Sequence, residues 1–351
     1  MKRPWIDTHI HVSDLGPGGQ RRERMLEDLL DVLDRCDAGL RFVISCDGPY
    51  YGYMAKDPAQ MLRGNQMIHD LCRRAPGRLY GACMVNPNFL DESLRVMNVC
   101  FGEWGFVMLG EMLQYSMKYR MNSDAAEKCV RLAARYDVPV QVHLGTYWFK
   151  DDTGGSSDGM DHMRDLLKCA ERVPEAKYIL AHAIGCGPTP NFVPWADMFL
   201  DTLAGVFPKY PDNFWIEIRD FQCKALKRTV AEAPSTRLLA GTDWTTRVGP
   251  PFQSYGTMFD VKEGANPFPP KVESFVGFLR AAGASEEAIA RIGFENARSL
   301  FKIKSWADGA EKAAVGNRSS LFGKMGCIAP KGLIYFRRSG KFLLEGRKIH
   351  V

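Results

Sequence analysis

The stretch Trp5-Ile6-Asp7-Thr8-His9-Ile10-His11 decides how the rest of the chain is read. Its composition is that of a strand, and on a strand two residues spaced i, i+2 project to the same side. His9 and His11 therefore converge on one point. Neutral imidazole nitrogens are good ligands for divalent transition metals, so paired histidines at the end of a buried strand suit a metal site. Taken alone, the pair is equally compatible with core or surface histidines. The positions of the other histidines and carboxylates must decide.

Working outward, seven more short apolar runs are bounded by turn residues: Arg41–Cys46, Leu79–Asn86, Gly105–Glu111, Pro139–His143, Lys177–His182, Asn213–Glu217 and Leu238–Asp243. Helical periodicity fills the intervals. Arg22–Asp37 places Met25, Leu26, Leu29, Leu30 and Leu33 on one face, and Ser123–Tyr136 opens on a serine suited to capping. Alternating strand and helix predicts a parallel sheet. Eight such units fit a (β/α)8 TIM barrel over residues 1–303, whose site lies at the C-terminal ends of the strands. An open doubly wound sheet is disfavoured, because strand 1 ends in His-x-His and lacks a glycine-rich phosphate turn.

That rim carries the chemistry. His9 and His11 end strand 1, Glu111 ends strand 4, His143 strand 5, His182 strand 6 and Asp243 strand 8. Of seven histidines in the chain, four fall at predicted strand ends, while His69 and His162 fall on helices and His350 in the tail. Chance would scatter them more evenly.

These residues resemble the amidohydrolase superfamily, and within it the amidohydrolase-2 group of metal-dependent hydrolases and decarboxylases. The resemblance spans residues 5 to 303. It rests on Asp7-Thr8-His9-Ile10-His11, Pro139-Val140-Gln141-Val142-His143, Leu180-Ala181-His182, Gly241-Thr242-Asp243-Trp244 and Glu295-Asn296-Ala297-Arg298. It implies metal ligation by His9, His11, His143 and Asp243, with His182 binding a second ion or the reacting group. Where many relatives bridge two ions with a carboxylated lysine on strand 4, this chain has Gly110-Glu111, similar to the bridging glutamate of TatD-type deoxyribonucleases. Two oxygens can serve two cations, so two ions are expected over one, with zinc ahead of manganese or iron. In a one-ion centre Glu111 would instead orient a ligand histidine.

Tyr115, Tyr147, Trp148 and Trp244 are candidate walls for a small aromatic or apolar acid, with Arg219 as the carboxylate anchor. Glu217 and Arg219 alternate onto one face of strand 7 and are also candidates to pair with each other. The leading expectation is metal-assisted hydrolysis of an amide, ester or lactone, in which Asp243 accepts the water proton and His182 holds the substrate oxygen or the second ion. Non-oxidative decarboxylation of an aromatic or unsaturated acid is the alternative, and a diiron oxygenase is a third reading on the same ligands.

Bulk properties agree with an enzyme of this kind. Hydrophobic residues make up 46% and charged residues 25% of 351, proportions of a globular chain with ample core. No apolar run is long enough for a membrane span. The opening Met1-Lys2-Arg3-Pro4 does not read as a secretory signal, and ten cysteines without a Cys-x-x-Cys pair fit a reducing compartment, so a cytoplasmic location is expected. Residues 304–351 hold ten Lys/Arg against three acids, alternating with apolar residues, and Gly332–Phe336 with Lys341–Leu344 predicts a β-hairpin extension. Nucleic acid is disfavoured as a partner, a small-molecule substrate is expected, and a homodimer stays open.

Overall fold

The computed structural model describes residues 3–15, 24–35, 39–47, 57–145, 160–184, 195–245, 253–254 and 271–304. They belong to the compact unit Met1–Lys304. The hairpin expected near the C-terminus lies outside the described residues.

Eight strands occur where the apolar runs predict them: β1 Trp5–Val12, β2 Leu40–Cys46, β3 Leu79–Cys83, β4 Met108–Met112, β5 Val140–His143, β6 Tyr178–Ile184, β7 Phe214–Ile218 and β8 Leu238–Ala240. Two short ones follow, β9 Trp244–Thr245 and β10 Gln253–Ser254. The helices are α1 Met25–Arg35, α2 Ala59–Arg74, α3 Leu90–Asn98, α4 Gln114–Met117, α5 Asp124–Arg135, α6 Asp161–Arg172, α7 Trp195–Lys209, α8 Leu226–Glu232, α9 Val272–Ala281, α10 Glu286–Ala290 and α11 Asn296–Leu300. Several boundaries differ from expectation: β6 runs past His182 to Ile184, β8 ends at Ala240 and not at Asp243, and two more differ for local reasons. β3 stops short of Asn86 because that side chain accepts a hydrogen bond from Asn88 N at 3.1 Å and opens the 3-10 turn Pro87–Phe89. β4 starts after Gly105, whose φ of +68° belongs to the entering turn.

The strands pair in parallel from β1 through β8 in chain order. β8 and β1 do not pair directly, and one segment bridges them. β8 pairs with β7 through Leu238, Leu239 and Ala240, and directly beyond it β9 pairs in parallel with β1, setting Trp244 opposite Ile10 and Thr245 opposite His11. The eighth barrel strand is thus split in two by Gly241-Thr242-Asp243, one part held by each neighbour. Side chains seal the seam: Thr8 Oγ1 donates to Ala240 O at 3.0 Å, and Thr242 N donates to Asp7 Oδ1 at 3.0 Å.

Below the rim, Ile6, Val43, Ala82, Met108, Ile179, Trp215 and Leu239 form one apolar cluster inside the barrel, plugged by Ala297, Leu300, Phe301 and Ile303. Strand ends on opposite sides of the barrel meet in that plug. Outside the strands, α5 lays down an apolar stripe with Ala126, Cys129, Val130 and Ala133 at i, i+3, i+4 and i+7. Ser123 caps α5, accepting from Ala126 N at 3.3 Å.

The upper end is irregular where chemistry was expected. Register breaks fall between Asp7 and Ile10, between Leu109 and Met112, and between Leu180 and Ile184. They bracket His9, Glu111 and His182. Such breaks re-aim side chains that regular pleating would send elsewhere. His182 and Asp243 also adopt φ of +41° and +53°, a region that non-glycine residues occupy chiefly where surrounding structure enforces it.

Candidate metal centre

The centre is assembled from strand ends. Nε2 of His9 and Nε2 of His11 are 2.9 Å apart. Glu111 Oε2 lies 3.1 Å from His11 Nε2 and 3.4 Å from His9 Nε2, and Asp243 Oδ1 lies 3.5 and 3.6 Å from the same two atoms. These four ligand atoms all lie within 4.8 Å of one another and could hold a metal ion. The other oxygen of Glu111 serves a second set: Oε1 is 2.9 Å from His143 Nδ1 and 3.0 Å from His182 Nε2. One carboxylate therefore belongs to two donor groups.

The chemistry of the first set calls for a cation. His9 Nδ1 donates to Glu217 Oε1 at 2.8 Å, which leaves the Nε2 lone pair of a neutral His9 facing inward. His11 Nδ1 contacts Ser45 Oγ at 3.0 Å, so the same tautomer is available to it. Two lone pairs and two carboxylate oxygens then face one point in a buried site. Positive charge is what reconciles them. Without an ion, a proton serves: burial opposes charge on His9, but the carboxylates of Glu217, Glu111 and Asp243 outweigh it and hold the imidazole well above its ordinary pKa. Burial likewise disfavours the Glu111 carboxylate, yet His9 and the hydrogen bonds from His11, His143 and His182 hold it well below its usual range. Burial and the neighbouring His143 hold His182 well below its ordinary pKa. Burial raises Asp243, against the pull of His9 and Arg219.

A framework of buried polar groups carries these ligands. Asp7 accepts from Thr242 N, Thr242 Oγ1 and His9 N, tying β1 to the segment that ends in Asp243. Burial nonetheless pushes its carboxyl up to about 7. Glu217, fully buried on β7, accepts from His9 Nδ1, His182 N and Gln141 Nε2. The carbonyl of His143 lies 2.9 Å from Gln114 Nε2 and 3.1 Å from His162 Nδ1. Gly110, at φ +140°, is dictated by space as well: a Cβ there would sit 2.7 Å from Gln141 O.

All six expected ligands come together. Tyr115 lies beside them, its ring centroid 4.4 Å from that of His143. Trp244 does not form an open wall; it lies in β9 and packs into the main apolar core. Arg219 donates to Asp243 Oδ2 at 3.0 Å, not to Glu217, because Glu217 is turned inward to His9 and Gln141. Tyr147 and Trp148 lie outside the described residues. Sequence reasoning gave no role to Ser45, Gln141 or His162, and the candidate Glu217–Arg219 pair does not form. An acid inside the apolar run Phe214-Trp215-Ile216-Glu217-Ile218 was the available signal for Glu217, since a buried charge needs partners. His162 had none, because its contact depends on how α6 returns to the barrel.

A family model described as Amidohydrolase matches residues 6–303. No curated protein matches the chain in sequence. Similar solved structures include 2,6-dihydroxybenzoate decarboxylase from Rhizobium, at 15% identity and a TM-score of 0.56 over 87% of this chain and 100% of that one. A dihydroxybenzoic acid decarboxylase from Polaromonas sp. JS666, with bound manganese and the inhibitor 2-nitroresorcinol, shares 14% identity with a TM-score of 0.56 over 88% and 99%. 4-Oxalomesaconate hydratase from Rhodopseudomonas palustris shares 13% with a TM-score of 0.52 over 90% and 99%. At these identities the likeness is one of fold. Among the described residues no helix is long and apolar enough to cross a membrane.

Proposed function

The chain belongs to the amidohydrolase family, and from that premise we propose that it is a metal-dependent decarboxylase of an aromatic or unsaturated carboxylic acid. The observation that carries the metal dependence is the convergence of His9, His11, Glu111 and Asp243 on one buried point. The reaction class draws on the similar structures, of which the two from Rhizobium and Polaromonas are decarboxylases of dihydroxybenzoates. This puts decarboxylation ahead of the hydrolysis expected from sequence.

His9, His11, Glu111 and Asp243 would hold the ion, with His143 and His182 completing a second position on Glu111. When bound, a divalent ion would supply the positive charge that draws in and orients the substrate's oxygens. Manganese and zinc are both fitting. We assign Asp243 the proton, carried on Oδ2 beside Arg219 Nη1, with Oδ1 turned to the histidines and the ion. It delivers that proton to the carbon bearing the carboxylate. The carbon–carbon bond then breaks, its electron pair returns to the unsaturated system, and carbon dioxide leaves. Water restores the proton to Asp243. Tyr115 offers an aromatic face beside His143 for the body of the substrate.

Hydrolysis of an amide, ester or lactone is the second reading, favoured by the way Glu111 divides its oxygens between two donor sets, an arrangement suited to two-metal hydrolytic chemistry. Asp243 would then accept a proton from water. Protein loaded with manganese or zinc is to be incubated with a panel of hydroxybenzoates and, separately, with lactones, esters and amides. Metal-dependent release of carbon dioxide supports decarboxylation. Turnover confined to the second panel gives the site to hydrolysis.

A further inference from the structure

Glu217 touches neither donor set's convergence point, yet it holds one member of each. Its Oε1 accepts from His9 Nδ1 at 2.8 Å and from the backbone N of His182 at 2.9 Å. Its Oε2 accepts from Gln141 Nε2 at 2.6 Å. The residue has 0% exposure. On the remaining side stands Gly241, where a Cβ would lie 2.7 Å from the Glu217 Cδ and 2.9 Å from its Oε2. The carboxylate is thus fixed by β1, β5, β6 and the split in the eighth barrel strand, while its own backbone belongs to β7.

We infer that Glu217 is a positioning residue that makes the two halves of the centre depend on each other. Toward the first half, the bond to Nδ1 keeps the His9 proton on that atom and aims the Nε2 lone pair at His11, Glu111 and Asp243. Toward the second half, the same oxygen anchors the amide of His182. That residue lies in the left-handed region inside a register break, and this backbone turn places its Nε2 on Glu111 Oε1. One oxygen atom therefore sets a ring orientation in one donor set and a backbone turn in the other. Ser45 provides the contrast, since among the site's ligands it contacts only His11. Loss of the Glu217 carboxylate weakens both positions; loss of the Ser45 hydroxyl weakens the first alone.

The inference rests on the proposed metal dependence, and its test separates the two. Full-length wild type, Glu217→Leu, Glu217→Gln and Ser45→Ala are stripped, reloaded with manganese or zinc, and assayed for metal per chain, for affinity by chelator competition, and for melting of the metal-free form. Glu217→Leu is expected to bind every ion that the wild type takes up about 10- to 100-fold more weakly, the usual effect of losing such a partner. Glu217→Gln, whose amide oxygen still accepts, recovers most of that loss. A folded Glu217→Leu with wild-type metal content and affinity overturns the inference and leaves the proposed function standing. A wild type that takes up no divalent ion overturns both. Should Glu217→Leu fail to melt cooperatively, Glu217→Asp decides, because it keeps the charge but withdraws it from His9 and His182: weakened binding supports the inference and wild-type affinity overturns it.

Discussion

Nη1 of Arg219 lies 3.0 Å from Oδ2 of Asp243, with both side chains buried. In the metal-free protein this is the shorter of the two cationic contacts of Asp243, the other being His9 at 3.6 Å, and its loss is costly in a buried site. Arg219→Met leaves Asp243 without that partner in a buried site, a change expected to cost about 3–5 kcal/mol. Urea unfolding of the metal-free protein reads this as a lower midpoint. A variant within about 0.5 kcal/mol of wild type, the range of ordinary surface substitutions, would mean that the pair is not closed in solution.

His9→Ala and His11→Ala remove donors at the rim and leave the apolar plug of Ile6, Val43, Trp215 and Phe301 untouched. Each should lose most bound metal while far-UV circular dichroism and cooperative melting persist. Full occupancy in the double variant is the contrary result.

Glu111 and Asp243 have separable duties. Glu111→Gln leaves one oxygen where two are used, and metal per chain should fall by one ion if both donor sets are filled. Asp243→Asn keeps an oxygen for coordination but cannot carry the proton, so it should hold substantial metal with turnover reduced about 10²- to 10⁴-fold. One ion per chain in both wild type and Glu111→Gln would establish a single-ion centre.

Metal uptake should release protons. The metal-free protein holds His9 above its ordinary pKa, and an ion must displace that proton to reach Nε2. Apparent affinity therefore rises with pH until His9's raised pKa is passed, then levels off. Chelator competition across about pH 6 to 9, with proton release followed in weakly buffered solution, checks the sign. PH-independent affinity with no proton released would show that His9 is neutral before the ion arrives.

Removing residues 305–351 should leave metal content and melting unchanged, because the apolar plug is complete at Ile303. Metal lost from a truncated chain that still melts cooperatively would place part of the deleted segment at the centre.

How much of this was legible in the sequence depends on the range of the interaction. His-x-His on a strand, and acids or histidines ending others, are local patterns, and the expected ligands all arrived at one rim. Reading short apolar runs also found the eight barrel strands, because buried parallel strands are nearly continuous apolar runs. It failed at Asn86 and Gly105, where a side-chain hydrogen bond and a left-handed turn override hydrophobicity. Alternation set Glu217 beside Arg219, but neighbours along a strand were not their partners. Glu217 reaches across the interior to His9, 208 positions away, and no local pattern encodes such a contact. Trp244 reads as a candidate wall, because a strand expected to end at Asp243 gives no sign of the pairing with β1 that begins directly after it.

The split final strand makes the centre a record of the chain's history. Thr8 and Ala240 are separated by 232 positions, and Asp243 reaches His9 and His11 only when that seam has formed. Contacts this distant in sequence are slow to form, since the loop between them must first be closed. Before that contact forms, the His9–His11 pair lacks the aspartate opposite it and offers an ion fewer donors. On the proposed metal dependence, tight ion capture would be deferred until the first and last barrel strands have met, and metal retention would report on that closure.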